Sequence, residues 1–349
     1  MGLSAAASRP MRIAYLLESS ALSGGVKVVA LQAGALARRG HHVAIVCPEP
    51  APRWLAAGPA HYELSTFRDS RELPLADVRV ATFWTTVNPA LEGARGPVFH
   101  LCQGYEGEHT FYADRHPQIR AAYALPTRKL AISETLAARL ERHGYGPVTN
   151  VGQAFDGGSF SPGPDRNGAV PWILVVGPYE ADVKGIGVAL EGLALWRRRG
   201  GSFRVRRVST HPPGETERAS GLVDAYHHTL APDRMPNAYR ASDVFIGPSR
   251  PEEGFGLPVL EALATGLPCL LSDTPGHREI AGQAASYFAD GDPEALAAAA
   301  PAAVLPAARA RARIDGPRAA ARYDTAKVAV NLEHAFLEAL QKGLGEAPA

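Results

Sequence analysis

One repeated pattern limits the fold of this chain more than any other feature. An apolar run of strand length, a glycine loop, a helical segment and a second apolar run follow one another between Met11 and Cys47, and a similar succession starts again at Trp172. Between the two lie residues 157–168, with four glycines and two prolines. Strands joined through a helix are parallel and form open sheets covered by helices. The sequence therefore predicts two α/β domains joined by a flexible linker.

Composition agrees with this division and excludes several classes of protein. A chain of 349 residues has the length of two domains. Its 46% hydrophobic and 20% charged residues are typical of a globular protein and exclude a disordered or fibrous chain. Lys and Arg number 36 against 35 Asp and Glu, so no overall field attracts nucleic acid or an anionic membrane. We expect a charged ligand to be bound by a local site.

The cysteines and the apolar stretches predict the compartment. Cys47, Cys102 and Cys269 lie in or beside apolar runs without metal-ligand spacing, which is typical of buried thiols in a reducing environment. The longest uncharged apolar stretch, 295–308, has 14 residues, and a membrane-spanning helix needs about 20. Residues 1–10 lack the apolar core of a secretory signal and predict a disordered tail. We therefore expect a cytoplasmic protein without a transmembrane segment.

The segment 248–269 carries the strongest chemical signal. Glu253 lies on a loop that leads from a strand into a helix starting near Leu257, and Glu261 lies about one turn into that helix. Glycines on both sides of Phe255 allow a ligand to approach the backbone, and the amides and dipole of a helix N-terminus favour an anion. Carboxylates commonly accept the hydroxyls of a sugar. The segment thus predicts a site for a nucleotide sugar.

The same residues resemble a known family. Glu253 and Glu261 are separated by seven residues within the frame Pro-Ser-x-x-x-Glu-Gly-Phe-Gly-Leu-Pro-x-Leu-Glu-Ala-x-Ala-x-Gly-x-Pro, which resembles the donor-site signature of glycosyltransferase family 4. Further segments are similar to patterns of that family: Ser23–Gly25, Gln153–Pro162, Val176–Gly185, Tyr239–Asp243 and Gly276–Glu279. The resemblance implies a GT-B fold, in which two Rossmann-like domains with parallel sheets face each other and a C-terminal helix crosses back.

The resemblance also implies how the chain is divided. After the tail of residues 1–10, residues 11–160 would form an N-terminal, acceptor-side Rossmann-like domain. Residues 168–322 would form the C-terminal domain that binds the nucleotide sugar, and residues 323–343 would be a helix that packs back on the N-terminal domain.

Matching positions receive roles from the family. Glu253 and Lys184 would act in catalysis, Glu253 by contacting the donor sugar and Lys184 by binding the diphosphate. Glu261 would bind the ribose hydroxyls. The other candidate donor-binding residues are Gly254, Phe255, Gly256, Leu257 and Arg250. The candidates on the acceptor side of the cleft are Gly24, Gly25, Gln103 and Glu106.

The implied activity is transfer of a hexose from a UDP-, GDP- or dTDP-sugar to a hydroxyl with retention of configuration. It needs no metal or other cofactor, because Lys184 and the helix terminus replace the cation. The implied partners are the nucleotide sugar and a glycan, lipid-linked or small-molecule acceptor. Nucleic acid is not an implied partner, and peripheral contact with a membrane is compatible with the resemblance. Pro178 stands where the family commonly has arginine. Gln103 stands where many members have histidine, which is similar to a subset that includes rhamnosyltransferases.

Two other functions stay open at this point. The replacements at Pro178 and Gln103 are compatible with a nucleotide-sugar-binding protein of weak catalytic power. A glycine pair before a helix, followed by a strand that ends at Asp273, imitates the fingerprint of an NAD-dependent oxidoreductase. The third glycine of that fingerprint is missing, because its position is Val259.

Overall fold

The computed structural model describes residues 9–56, 58–164, 168 and 170–345. Of the expected N-terminal tail, residues 1–8 lie outside the described residues, and so do residues 165–167 of the expected linker. The described residues form two sheets, each with helices on its faces.

The first sheet is built from residues 12–150, and all of its strand pairs are parallel. Its strands are β1 (Arg12–Leu16), β2 (His42–Cys47), β3 (His61–Leu64), β4 (Val78–Ala81), β5 (Val98–Cys102), β6 (Arg128–Ala131) and β7 (Val148–Asn150). The helices of this half are α1 (Gly24–Arg38), α2 (Arg53–Ala56), α3 (Val87–Leu91), α4 (His116–Ala124) and α5 (Glu134–Arg142). The spatial order is β3-β2-β1-β4-β5-β6-β7, so β1 is the strand at which the order reverses.

The second sheet, from residues 172–288, is also parallel throughout. Its strands are β8 (Trp172–Val176), β9 (Arg204–Ser209), β10 (Val223–His228), β11 (Val244–Gly247), β12 (Cys269–Ser272) and β13 (Ser286–Phe288). The helices are α6 (Ile186–Arg198), α7 (Glu215–Ala219), α8 (Met235–Arg240), α9 (Leu257–Ala264), α10 (Pro275–Ala281), α11 (Pro293–Ala303), α12 (Pro306–Ala320) and α13 (Thr325–Gly345). The spatial order is β10-β9-β8-β11-β12-β13, with the reversal at β8.

Side-chain caps fix where several helices begin. The hydroxyl of Ser133 accepts a hydrogen bond from the amide of Leu136 at 3.1 Å and starts α5. A carboxylate oxygen of Asp292 accepts one from the amide of Ala295 at 3.0 Å and starts α11. Each cap satisfies a backbone donor that has no partner inside the helix. Serine and aspartate are among the residues most favoured at this position.

The apolar runs of the sequence are the buried strands. In β1, β4, β5 and β12 nearly every residue is buried, as expected for strands that are covered by helices on both faces. Cys47, Cys102 and Cys269 are free thiols inside this packing. Among the described residues, no helix combines the length and the hydropathy that a bilayer crossing requires.

The last helix, α13, returns from the second half of the chain to the first sheet. Phe336 is fully buried, and its ring packs against Phe99 of β5 with centroids 4.9 Å apart. Arg39, which follows α1, forms an ion pair with Glu333 of α13. This confirms the crossover helix that the family resemblance implies.

The two segments that pass between the sheets are bonded to each other. The amide of Phe155 donates a hydrogen bond to the hydroxyl of Thr325 at 3.0 Å. That hydroxyl in turn donates to the carbonyl oxygen of Phe155 at 2.8 Å. The outgoing and the returning crossings therefore run side by side.

The apolar residues of α13 lie mainly on one buried face. Val328, Leu332 and Phe336 are buried, as their spacing of four predicts. Val330 is 47% exposed. Two residues along a helix turn the side chain by about 200°, so Val330 lies opposite Val328.

Replacing the anchor of α13 is expected to destabilise the protein strongly. The substitution Phe336→Ala should lower the free energy of unfolding by about 3–5 kcal/mol, because it removes a fully buried ring and leaves a cavity. Denaturant unfolding followed by circular dichroism measures this. The control Val330→Ala on the exposed face should change stability by no more than about 0.5 kcal/mol. Equal effects of the two substitutions would contradict the packing described for α13.

Candidate functional site

The two sheets bring their carboxyl ends to a common cleft of about 660 Å³. In an open parallel sheet, ligands bind beyond the carboxyl ends at the point where the strand order reverses. The loops that follow β1 and β4 line one side of the cleft, and the loops that follow β8 and β11 line the other. The topology thus places two switch points face to face.

Helix α9 points its N-terminus into this cleft. Gly256 caps the helix with φ of +94°, a left-handed conformation that favours glycine. Leu257 and Pro258 begin the first turn, where proline lacks only an N–H that would have no helical partner. The first turn carries no acidic residue. Its free amides and the positive end of the helix dipole are therefore available to an anion.

Glu253 lies beside this helix terminus and pairs with Lys184. The Lys184 ammonium donates a hydrogen bond to one carboxylate oxygen, Oε1, and 27% of the lysine side chain and 11% of the glutamate side chain are exposed. Burial acts to raise the pKa of Glu253, but the Lys184 ammonium and its hydrogen bond, together with the Ser249 hydroxyl and His277, outweigh burial and lower that pKa. Among the described groups, no hydrogen-bond donor reaches the other oxygen, Oε2, although it is buried. The site therefore contains an ionised carboxylate with an unfilled acceptor.

Glu261, inside α9, binds a group from each sheet. Its Oε2 accepts a hydrogen bond from the Tyr239 hydroxyl at 2.7 Å. Its Oε1 accepts one from the Lys27 ammonium at 2.9 Å. Tyr239 belongs to α8 of the second half, whereas Lys27 belongs to the first turn of α1 in the first half. The Lys27–Glu261 ion pair consequently bridges the cleft.

The first sheet contributes its own set of polar groups. Gln103 follows β5, and its amide donates to the carbonyl oxygen of Gly25 at 3.2 Å. A Cβ atom on Gly24 would lie 3.3 Å from Leu257, so the start of α1 faces the start of α9. Glu106 accepts a hydrogen bond from the Tyr123 hydroxyl at 2.7 Å. Burial raises the pKa of Glu106 to about 7.

The two halves of the cleft touch through backbone as well as side chains. A Cβ atom on Gly254 would lie 1.8 Å from the carbonyl oxygen of Gln103, so only glycine fits there with the cleft in this closed position. The carboxylate of Glu279 in α10 accepts hydrogen bonds from the amides of Glu134 and Thr135 at 2.9 and 2.8 Å. An acid of the second half thus caps helix α5 of the first half.

Almost all of the residues predicted from the sequence for the site line this cleft. They are Gly24, Gly25, Gln103, Glu106, Lys184, Glu253, Gly254, Phe255, Gly256, Leu257 and Glu261. Arg250 does not line it. The Arg250 side chain lies 3.6 Å from Asp290 and next to the backbone of Gly291. Its role in binding the donor stays a prediction.

Sequence reasoning missed Lys27 and gave no role to Tyr239 or Tyr123. Lys27 has a signal that could have been used, since it is the only charged residue between Gly24 and Ala37 in an otherwise apolar helix. A charge kept in such a helix directly after a glycine loop points to a partner outside the helix. The two tyrosines carry no comparable signal, because a buried tyrosine is ordinary core material.

Over the described residues, no group of three or more His, Cys, Asp or Glu side chains is placed to hold a metal ion. The pair Asp290 and Asp292, whose spacing imitates a metal site, is engaged with Arg250 and with the first turn of α11. Activity without a metal stays a prediction.

Comparison with known proteins finds a sequence family whose model matches part of the second half of the chain. Residues 170–304 match the family model described as "Glycosyl transferases group 1". The Glu253–Glu261 frame lies inside the matched residues, which confirms the resemblance predicted from it. A curated relative, the lipopolysaccharide core biosynthesis mannosyltransferase LpsB of Rhizobium meliloti, is 41% identical over 61 residues, or 18% of this chain. The match spans only 17% of that relative.

Solved structures are similar over nearly the whole chain. Sucrose-phosphate synthase from Thermosynechococcus elongatus has a TM-score of 0.75 and 18% identity, with 95% of this chain and 99% of that chain covered. Anabaena Alr3699/HepE in complex with UDP-glucose has a TM-score of 0.77 and 16% identity, with 94% and 100% covered. At such identities the likeness concerns the fold, and the chain has the GT-B fold.

Closure of the cleft is expected to depend on Gly254. In Gly254→Ala the added methyl group would collide with the carbonyl oxygen of Gln103 and hold the two halves apart. Small-angle X-ray scattering should show a larger radius of gyration. Chemistry in the cleft should slow by roughly 100-fold, as for a misplacement of about 1 Å. The matched control is Gly276→Ala in α10, where a Cβ atom meets nothing within 4 Å. A G254A protein as compact and active as G276A would refute this.

Glu106 should make stability depend on pH. Its pKa of about 7 in the folded protein exceeds the ordinary 4.5, so the folded state holds the proton more tightly than the unfolded state. Stability therefore falls as pH rises from about 4.5 to about 7 and stays lower above that. Glu106→Gln cannot ionise and should melt about 2–4 °C above wild type at pH 8, with almost no difference at about pH 4, below both pKa values. The control is Glu191→Gln on the exposed face of α6. A pH-independent effect of E106Q would count against buried ionisation.

Proposed function

We propose that this protein is a retaining glycosyltransferase. It transfers a hexose from a nucleoside diphosphate sugar to a hydroxyl of an acceptor and requires no metal ion. The observation that supports this most is the state of Glu253, a buried, ionised carboxylate beside a helix N-terminus, with one oxygen on Lys184 and the other without a donor among the described groups. A carboxylate next to an anion site is suited to a ligand that carries both hydroxyls and phosphates.

The donor would lie across the start of α9. Its diphosphate would accept hydrogen bonds from the amides of Gly254, Phe255 and Gly256 and from the ammonium of Lys184. The open oxygen of Glu253 would accept a hydroxyl of the transferred sugar. Glu261, deeper in the helix, would accept the ribose hydroxyls. These assignments follow from the cleft residues and from the family match over residues 170–304.

The chemistry would rest on stabilising the leaving group. As the bond from the anomeric carbon to the phosphate oxygen breaks, negative charge grows on the diphosphate. Once the donor is bound, the Lys184 ammonium and the helix amides would already lie at that place, so they would need no reorganisation in the transition state. The acceptor oxygen would bond to the anomeric carbon from the same face, and its proton would pass to the leaving phosphate oxygen. The lowered pKa of Glu253 keeps it ionised, so it accepts a hydroxyl rather than donating a proton.

The acceptor would enter from the first sheet, where Gln103 and Glu106 line the cleft. The class of acceptor stays open between a glycan, a lipid-linked sugar and a small molecule. The sugars named for the compared proteins concern those proteins: LpsB is described as a mannosyltransferase, one structural neighbour as a sucrose-phosphate synthase, and HepE was solved with UDP-glucose.

The dinucleotide alternative has little support in the geometry. In that fingerprint an acid at the end of the second strand would bind a ribose hydroxyl. Here Asp273 gives both carboxylate oxygens to Arg278, at 2.7 and 2.8 Å. That acid is also absent from the cleft lining. A nucleotide-sugar-binding protein without turnover is the alternative that the following experiment separates.

The test is a panel of UDP-, GDP- and dTDP-sugars incubated with the protein after exhaustive chelation. Slow hydrolysis of one donor, or its transfer to an added acceptor, should release the nucleoside diphosphate, and NMR should find the product with the anomeric configuration of the donor. Binding without release would identify the non-catalytic alternative. An inverted product, or a strict need for manganese, would refute the proposed mechanism.

Loss of Lys184 should reduce turnover strongly. A hydrogen bond from a charged group contributes about 1.5–3 kcal/mol, so Lys184→Ala should lower kcat/KM by roughly 10- to 150-fold. Donor hydrolysis measured at low donor concentration gives this ratio. The control Lys327→Ala removes the same charge from the exposed side of α13, outside the cleft lining, and should leave the rate unchanged. Near-normal rates in K184A would remove Lys184 from the mechanism.

A further inference from the structure

Lys27 of α1 reaches across the cleft, and its ammonium forms an ion pair with Glu261 of the second half. Its side chain is 24% exposed, whereas that of Glu261 is 5% exposed. The lysine stem runs near the ring of Phe160, with Nζ 6.0 Å from the ring centroid. Such a stem is flexible, and its compact ammonium can change partners without moving the backbone.

We propose that Lys27 is the second cation for the diphosphate of the donor. In the unliganded cleft its ammonium lies on Glu261. When the donor enters, the ribose hydroxyls replace the ammonium on the Glu261 carboxylate, and Lys27 turns to a phosphate oxygen. This inference rests on the proposed function, because it takes the ligand to be a nucleoside diphosphate.

The charges of the cleft support an exchange of this kind. The cleft holds two ion pairs, Lys184–Glu253 and Lys27–Glu261. Each pair joins an acid suited to sugar hydroxyls with an ammonium suited to phosphate. A diphosphate would bring about two negative charges next to these pairs, and partial charges of about +0.5 at a helix N-terminus are smaller than this. Moving both ammonium groups to the phosphates would place a cation beside the new charge, while the sugar and ribose hydroxyls would take over the hydrogen bonds of the two carboxylates.

Other cations near the cleft are already engaged elsewhere. Pro178 supplies no charge at the position after Gly177. Arg250 pairs with Asp290. Arg207 is buried and gives its donors to Glu217 and to the carbonyl oxygens of Val175 and Gly177. Of the described residues that line the cleft, those with a lysine or arginine side chain are Lys27 and Lys184.

The position of Lys27 also fits the task. It lies in the same turn as Gly24, which faces Leu257 at the start of α9. The Lys27 ammonium therefore reaches the cleft from the first half of the chain, whereas Lys184 reaches it from the second. Because Lys27 comes from the first sheet and the other donor groups come from the second, its bond to phosphate would be made only in the closed cleft. Diphosphate binding would then favour closure.

The experiment compares ligands with and without phosphates on one set of variants. UDP, GDP and dTDP are first titrated into wild type by calorimetry, and the base that binds best is used for the rest. Lys27→Met should raise Kd for that nucleoside diphosphate about 10- to 100-fold, the effect of losing a charge-assisted hydrogen bond. Kd for the nucleoside without phosphates, measured by NMR titration, should change by less than about threefold. Lys27→Arg should recover most of the diphosphate affinity, and the control Lys327→Met should bind like wild type.

The outcomes separate this inference from the proposed function. If wild type binds none of the three diphosphates, the proposed function fails and the role of Lys27 fails with it. If wild type binds one of them and K27M binds it equally well or more tightly, Lys27 only holds the empty cleft and the inference alone is overturned. It is also overturned if K27M weakens the nucleoside as much as the diphosphate, since Lys27 would then act on the ribose side.

Discussion

A parallel pair of strands cannot be joined by a tight turn, and this constraint organises the whole molecule. Each crossover helix carries the chain back, so all strands of a sheet end at the same edge. In both sheets the order reverses at one strand, β1 or β8, and the loops there diverge to leave a crevice. With the two edges face to face, the chemically active side chains meet in one place. Lys184 follows β8 and Glu253 follows β11, and they become neighbours because these adjacent strands end at the same edge.

Charge inside the cleft is handled by pairing. A buried carboxylate without a partner would lose more free energy through desolvation than the fold can easily compensate. Glu253 avoids this through Lys184, and Glu261 through Lys27 and Tyr239. The described partners of Glu106 include the Tyr123 hydroxyl but no cation, and this acid keeps its proton to a higher pH instead. Glu253 and Glu106 thus differ in protonation because their neighbours differ.

The central strands and the glycine loops could be predicted from the sequence because their signal is local. A strand buried on both faces is a run of apolar residues, and β1, β5 and β11 are such runs. The edge strands β3 and β10 were missed, since they are half exposed and their sequences, HYEL and VDAYHH, lack a continuous apolar run. Site residues inside a motif could be named for the same local reason. The direction of the Arg250 side chain and the partner of Lys27 depend on residues 40 and 234 positions away, which no local pattern contains.

The paired crossings between the halves have a mechanical consequence. A single connecting strand would let one half swivel freely about several axes. Here two chain segments cross between the halves together and are joined by the Phe155–Thr325 hydrogen bonds. Rotation of one half about the long axis of the molecule would strain these hydrogen bonds, whereas bending of the halves toward or away from each other would not. We therefore expect the cleft to open along one hinge line and to resist twisting of one half against the other.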